Sequence, residues 1–243
     1  MRSSWPGKDR RLPSRFSMDY LILSRLFQDL QTIVHLHIQN SHDLRILDIG
    51  CRNKPYYPVF APYTSQYLGI DISNDPAGPD CLGSADSLPF PDETFDVVFC
   101  NWVIIYVENV AKVLHEARRC LRPGGLMILT THGMWPLLGK PNYWRFSRDG
   151  VEHILTGAGF RVSRVVSNGG PALSLFQLLN LYVDLWTRGK LVRVASPMLY
   201  FASNLLGEAL DNRIGGREGW LSCEDYTSIA YSVNYIGIGH KGS

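Results

Sequence analysis

The sequence predicts a single doubly wound α/β domain, and three observations carry that prediction. Short apolar runs ended by turn residues alternate with stretches whose apolar residues recur every three or four positions, which is the pattern of βαβ units. One such run, Ile46-Leu47-Asp48-Ile49, passes directly into Gly50. A second, Leu68-Gly69-Ile70, ends in Asp71, 23 residues after Asp48. In an open α/β sheet ligands bind beyond the carboxyl ends of the strands, so a glycine turn and an acid at two strand ends imply an adenosine-type ligand.

Composition bounds the alternatives. With 243 residues, 45% hydrophobic and 19% charged, the chain buries a full core as one domain with a cap. A formal charge of +2 is too mild to demand a nucleic-acid partner. The five cysteines are scattered and never form a C-x-x-C pair, so neither a disulfide framework nor a metal site is expected. The apolar stretch after the basic N-terminus is interrupted by Asp19, Arg25 and Asp29, unlike a signal peptide, and a cytoplasmic protein is expected.

In chain order, residues 1–17, with Arg2, Lys8, Arg10, Arg11 and Arg15, read as a flexible basic arm, with a docking segment as the alternative. The core spans 18–166 and 232–243. It opens with a helix over Met18–Gln39, where Leu23, Leu26, Phe27, Leu30, Ile33, Val34 and Ile38 share helical spacing. Strands follow at Arg45–Ile49, Gln66–Ile70 and Asp96–Cys100, the last with a run Val97-Val98-Phe99 suited to a sheet covered on both faces. A helix from Val110 to Leu121 stops at the turn Arg122-Pro123-Gly124-Gly125, before the strand Leu126–Thr130. Ser147 caps a helix Arg148–Leu155 that ends at Gly157-Ala158-Gly159, and strands Phe160–Val166 and Val233–Gly239 complete the set.

Between those two strands, residues 167–231 form a helical insert, because a structureless connection of that length is uncommon in a compact domain. It holds two amphipathic stretches, Leu173–Trp186 and Leu191–Leu210, the second kinked or restarted at Pro197. Ser174, Gln177, Asn180 and Asp184 make one polar stripe, which marks an amphipathic helix rather than a membrane span. A hydrophobic lid packed on the domain is expected. A dimer interface, or peripheral membrane contact through 172–210 with Trp186, Arg188, Lys190 and Arg193 at the headgroups, is the alternative.

Taken together, the chain resembles the class I S-adenosylmethionine-dependent methyltransferases, in the group where a strand ending in Leu-Asp-x-Gly-Cys opens the cofactor loop. The resemblance runs from about Leu44 to Phe160 and continues in order through Ala85-Asp86-Ser87-Leu88-Pro89-Phe90, Phe95-Asp96-Val97-Val98-Phe99 and Leu121-Arg122-Pro123-Gly124-Gly125. Lys54-Pro55-Tyr56 and Asn142-Tyr143-Trp144-Arg145-Phe146-Ser147 resemble a bacterial subgroup associated with glycan or small-molecule pathways. The resemblance implies a mostly parallel seven-stranded sheet with helices on both faces, an antiparallel last strand, and S-adenosyl-L-methionine as cofactor.

It further implies that Asp48, Gly50 and Cys51 flank the methionine part of the cofactor, Asp71 holds the ribose, Asp86 with Ser87 meets the adenine, and Asn101 lies beside the sulfonium. Glycine lets backbone N–H groups approach a ligand, carboxylates favour a hydroxyl pair or a cation, and Ile72 or Leu88 can sandwich the adenine. The implied acceptor is a small or glycan-linked molecule bound by Tyr143, Trp144 and Arg145, between that segment and the insert. His132 is the candidate base for a hydroxyl acceptor, with Tyr143 a second catalytic candidate. His132 also reads as a hydrogen-bonded loop histidine, and the 143–145 segment as a pin between helix and sheet.

One departure bears on function. Arg52 stands where the family usually has a second glycine, at a position that costs on the order of 1 kcal/mol for a side chain if it needs φ > 0. A non-catalytic scaffold with a degenerate cofactor loop is therefore the second reading. A dinucleotide-dependent oxidoreductase requires Gly-x-Gly-x-x-Gly, which Gly50-Cys51-Arg52-Asn53-Lys54-Pro55 lacks.

Overall fold

The computed structural model describes residues 5–74, 78–136, 141–221 and 234–242, with the backbone alone for 214–221 and 234. Seven strands form one sheet: β1 (Leu44–Ile49), β2 (Thr64–Asp71), β3 (Cys81–Leu82), β4 (Phe95–Asn101), β5 (Leu121–His132), β6 (Phe160–Ser167) and β7 (Asn234–Lys241). Their order is β3-β2-β1-β4-β5-β7-β6. The first five run parallel, and β7 lies antiparallel between β5 and β6. Because β1 has β2 on one side and β4 on the other, the sheet switches direction at β1, and a crevice opens there at the carboxyl ends.

Strand alternation divides the core into two layers. Ile46, Val97, Phe99 and Ile128 face Leu26, Leu30, Ile33 and Val34 of the helix Tyr20–Ile38. On the other face Leu47, Val98, Met127 and Leu129 meet Val113, Leu114 and Ala117 of the helix Val110–Cys120, and Val151 and Leu155 of the helix Arg148–Gly157. Covering both faces is what the Val97-Val98-Phe99 run requires. The cap of the second helix is as read: the Gly150 N–H donates to Ser147 Oγ at 3.1 Å.

Three expectations are corrected. The Arg122–Gly125 segment is no turn between elements; β5 already begins at Leu121, which pairs with Phe95, while Leu126 pairs with Val97. The intervening residues bulge from the strand, which Gly124 at φ 75° permits. The basic arm is docked rather than flexible from Trp5 onward. It carries a short helix at Lys8–Arg11, and the Arg11 guanidinium, buried, donates to the carbonyls of Trp5 at 2.9 Å, Pro6 at 2.8 Å and Pro55. A rigid five-donor fork suits a cluster of carbonyls, and a single such anchor leaves no periodic pattern in sequence.

The third correction concerns the insert, which has a helix α6 (Pro171–Thr187), a 3₁₀ turn (Leu191–Ala195) and a helix α7 (Ser196–Leu221). Pro197 sits in the first turn of α7, where its missing N–H costs nothing. The polar stripe of α6, expected to face water, faces the domain. Ser174, Gln177, Asn180 and Asp184 are all buried. Gln177 donates to the Met18 carbonyl at 3.0 Å and accepts from the Ile22 N–H at 3.2 Å, and Asn180 donates to Asn204 of α7 at 2.7 Å. Asp211 of α7 accepts from the N–H groups of Gly170 and Leu173 at the start of α6.

Candidate cofactor and acceptor site

At the switch point a cleft of about 670 Å³ opens over the ends of β1, β2 and β4. That volume lies in the range of small-molecule and cofactor sites. The strands deliver Asp48, Asp71 and Asn101 to it, and the loop after β1 supplies Gly50, Cys51 and Arg52. Ile72, 81% exposed, and Val103 are apolar surfaces of the same cleft. Asp86 lies on its wall too. Ser87 and Leu88 do not line it: Ser87 is solvent-exposed, and Leu88 belongs to the core, where its N–H donates to Glu116 at 2.8 Å. Of the two adenine neighbours read from sequence, the cleft retains Ile72.

The loop is strained in a regular way. Gly50, Arg52 and Lys54 all have positive φ, at 68°, 46° and 51°. Gly50 is irreplaceable for a reason other than ligand approach, because an added Cβ would lie 2.2 Å from Val103 Cγ2. The N–H groups of Gly50 and Cys51 both donate to the Ile70 carbonyl, at 2.8 and 3.2 Å, so they fasten the loop to β2 instead of pointing at a ligand. Arg52 adopts the left-handed conformation the missing glycine would have taken, its side chain exposed and its N–H donating to Asp71 Oδ2 at 2.8 Å. The conformation survives the substitution.

Three acids define the electrostatics. Asp48 is buried and accepts from the Tyr67 hydroxyl at 2.7 Å; burial outweighs that bond and raises its carboxyl to about 7. Asp71 Oδ1 accepts from the Ser73 N–H at 3.0 Å and its hydroxyl at 3.1 Å, which together with Arg52 fixes the carboxylate's orientation. Asp86 accepts from the Ser84 hydroxyl at 2.6 Å, and this bond, with Lys112 beyond it, holds the carboxyl below its ordinary range. Cys51 is a packing residue: its sulfur lies against Gly69, and burial raises the thiol far from reactivity. Asn101 Oδ1 accepts from the Thr130 hydroxyl at 2.6 Å.

Arg10, Tyr56 and Trp102 line the same cleft. Among the described residues Arg10 Nε and Trp102 Nε1 are buried polar atoms without a hydrogen-bond partner, and the buried Tyr56 hydroxyl interacts with the Arg10 side chain. Buried polar groups left unsatisfied are costly, so a side-chain adjustment that brings them to a ligand's oxygens would be favoured. Burial pushes the Tyr56 hydroxyl up to about 12, which keeps it a donor. Neither Arg10 nor Trp102 carries a sequence signal; the docked arm brings the first, and the second is the positive-φ residue (57°) just after β4.

Arg10, Arg52, Trp102 and Tyr106 also line a second, adjoining pocket of about 430 Å³. His132, at the end of β5, forms part of its wall, its ring held between Trp102 at 4.8 Å and Trp135 at 5.6 Å. Asp9 and Asp19 add negative charge. The expected acceptor residues divide. Tyr143 reaches the mouth of the cofactor cleft. Trp144 faces away, its indole donating to the Val107 carbonyl at 2.8 Å. Arg145 is a strap: it donates to the carbonyls of Trp135 at 2.6 Å, Pro136 at 2.8 Å and Trp144 at 2.6 Å, and to Asn142 Oδ1 at 2.5 Å. A guanidinium committed to four acceptors has little left to grip an anion.

A parallel sheet with one antiparallel strand, β7, inserted between β5 and β6, and a cleft at the β1–β2–β4 ends, defines a Rossmann-like α/β fold. Residues 47–129 match the family model of a methyltransferase domain. The chain is 29% identical over 102 residues to an uncharacterized methyltransferase, YcgJ, of Bacillus subtilis, covering 36% of this chain and 40% of that protein. It is 34% identical over 124 residues to the malonyl-[acyl-carrier protein] O-methyltransferase of Methylococcus capsulatus, covering 45% of each. It thus spans less than half the length of these curated relatives. Among solved structures it is similar to phosphoethanolamine N-methyltransferase 2 of Haemonchus contortus in complex with S-adenosyl-L-methionine. That likeness has a TM-score of 0.57 at 16% identity over 97% of this chain and 59% of that one. Over residues 47–129 the chain is thus similar to methyltransferase domains, and its fold is that of the class I S-adenosylmethionine-dependent methyltransferases.

Proposed function

We propose that the protein transfers a methyl group from S-adenosyl-L-methionine to a small-molecule or glycan-linked acceptor held in the Trp102–His132–Trp135 pocket. The observation that carries this reading is the lining of the cleft, in which Asp48, Asp71 and Asp86 occur together with Arg10, Tyr56 and Trp102. A zwitterionic nucleoside fits it: Arg10, Tyr56 and Trp102 suit a carboxylate, Asp48 an ammonium, and Asp71 a ribose hydroxyl pair. Ile72 and Val103 suit the faces of the adenine, with Asp86 at its edge. When bound, the cofactor supplies an electrophilic methyl group on a sulfonium.

The chain's own contribution is positioning, which supplies a large part of the rate in a displacement at an already activated carbon. Asp48 sets a negative charge under the site, and the walls of Trp102 and Trp135 exclude water from the acceptor side. For a hydroxyl acceptor, His132 takes the proton as the new carbon–oxygen bond forms. Arg52 argues for a working loop rather than a scaffold, since it preserves both the backbone conformation and the bond to Asp71.

Calorimetric titration with S-adenosyl-L-methionine tests the reading. The expected result is micromolar affinity, lost in Asp71→Ala and weakened by roughly tenfold in Asp71→Asn, which keeps one acceptor oxygen for the loop. An absence of binding to the unaltered protein would remove the enzyme and leave the scaffold.

A further inference from the structure

The insert presents its apolar residues outward. On α6 the exposed side carries Leu175, Leu179, Tyr182 and Trp186, at 65%, 46%, 67% and 51% exposure, spaced by four, three and four residues along one stripe. The opposite stripe, Ser174, Gln177, Asn180 and Asp184, is the buried one. α7 repeats the inversion: Ser203, Asn204 and Asp211 are buried, while Met198, Leu199, Leu205 and Leu206 are exposed. Between the helices the 3₁₀ turn holds out Leu191 and Val194, at 92% and 84%. An apolar surface extended over three consecutive elements is more than singly scattered exposure, and water alone does not favour it.

The charge at the rim says what covers it. From residue 171 to 206 the chain has three basic residues, Arg188, Lys190 and Arg193, and one acid, Asp184. Asp184 is spent on Arg188 at 2.8 Å and Arg193 at 3.7 Å, and Lys190 lies over the Trp186 ring at 4.3 Å. An apolar plane edged by cations, with a tryptophan and a tyrosine at its margin, matches the boundary between acyl chains and anionic headgroups.

The face also adjoins the site. Leu178, Leu181, Tyr182 and Leu185 of α6 form one wall of an apolar groove of about 600 Å³, whose other wall includes Trp135, and Trp135 is shared with the acceptor pocket.

We propose that the outer face of α6, the 3₁₀ turn and α7 seats on an anionic lipid surface, in plane rather than across it. Among the described residues no helix is long and apolar enough to cross a membrane. The docking stands on the insert alone and holds whether or not the cleft transfers methyl groups.

Flotation of the full chain with phosphatidylcholine vesicles, with and without phosphatidylglycerol, tests it. The unaltered protein should float with the phosphatidylglycerol vesicles, more weakly as salt rises. Leu175→Glu with Tyr182→Glu should lower partitioning by at least roughly tenfold, since burying each side chain is worth a factor of that order. Lys190→Glu should weaken binding to phosphatidylglycerol vesicles only. Unchanged melting temperature and unchanged S-adenosyl-L-methionine affinity in these variants keep the test separate from the fold and from the methyl-transfer reading. No flotation of the unaltered protein, or equal flotation of the double variant, overturns the proposal. So does a dimer in light scattering that Leu175→Glu with Tyr182→Glu converts to monomer without any vesicle binding, which would assign the face to a second copy of the chain.

Discussion

Asp48 is a buried carboxyl held by the Tyr67 hydroxyl, and on the proposed reading it faces a cationic ligand. Held near 7 by burial at the end of β1, its carboxyl carries a proton over much of the acidic range, and an adjacent cation favours the ionised form. Binding of a cationic cofactor should therefore strengthen as pH rises toward about 7 and level off above it, which calorimetry between pH 5.5 and 8.5 will show as a slope approaching about tenfold per unit on the acid side. In Asp48→Asn the slope should vanish and affinity should fall. The same shift has the opposite consequence for the unliganded fold. A raised carboxyl binds its proton more tightly folded than unfolded, so its contribution to stability is largest at low pH and is lost as pH climbs from about 4 to about 7. The melting temperature of Asp48→Asn should gain on that of the unaltered protein across that window. Two loop residues give a matching pair. Arg52→Gly relieves a left-handed side chain and should stabilise by roughly 1 kcal/mol in denaturant melts while keeping cofactor affinity. Gly50→Ala meets Val103 and should destabilise by about 2 kcal/mol or more, with partial recovery when Val103→Ala removes the clash.

At the scale of elements, the site depends on pieces pinned by single arginines. Arg145 ties residues 135–136 to 142–144, and so sets the position of Trp135 beside His132. Arg145→Ala should raise the acceptor KM several-fold in a methyl-transfer assay while leaving cofactor affinity unchanged, and Arg145→Lys should rescue little, since a point charge cannot replace a fork. Arg11 plays the same part for the N-terminal arm, whose Arg10 completes the cofactor cleft; Arg11→Met should weaken cofactor binding by loosening that wall. The Arg11 pin was not legible in the sequence, where it read as one charge in a basic tail, whereas for the segment with Arg145 a pin stood beside the anion grip as an alternative. A lone side chain bonding to carbonyls distant in sequence or within an irregular loop leaves no period to detect. The helices of the insert were legible as helices but not in orientation. Hydrophobic periodicity locates two faces and assigns the apolar one to the core by default, whereas α6 reverses the assignment because Gln177 and Asn180 find buried partners.

For the whole molecule, the parallel sheet was legible because it is buried on both faces and so written in continuous apolar runs, as in Val97-Val98-Phe99. β3 was not: a two-residue edge strand, Cys81–Leu82, has no alternation to read. The lining of the cleft was half legible. Asp48 and Asp71 fall at strand ends, where the topology of a doubly wound sheet brings them together, and Asp86 follows the short β3, so the three acids that share the cleft could be named from spacing and resemblance. Its donors come from the arm, from Tyr56 beyond the β1 loop and from the residue after β4, and the adjoining pocket joins that arm to the end of β5, a meeting fixed by packing alone. On the proposed reading, Asp48, Asp71 and Asp86 share one cleft with Arg10, Tyr56 and Trp102, and a single nucleoside ligand meets both sets. A crystal structure of the protein with S-adenosyl-L-homocysteine tests it most directly. The ribose hydroxyls should lie on Asp71, the adenine against Ile72 and Val103, and the carboxylate among Arg10, Tyr56 and Trp102. A ligand bound elsewhere, or one whose carboxylate does not reach those three donors, would contradict it.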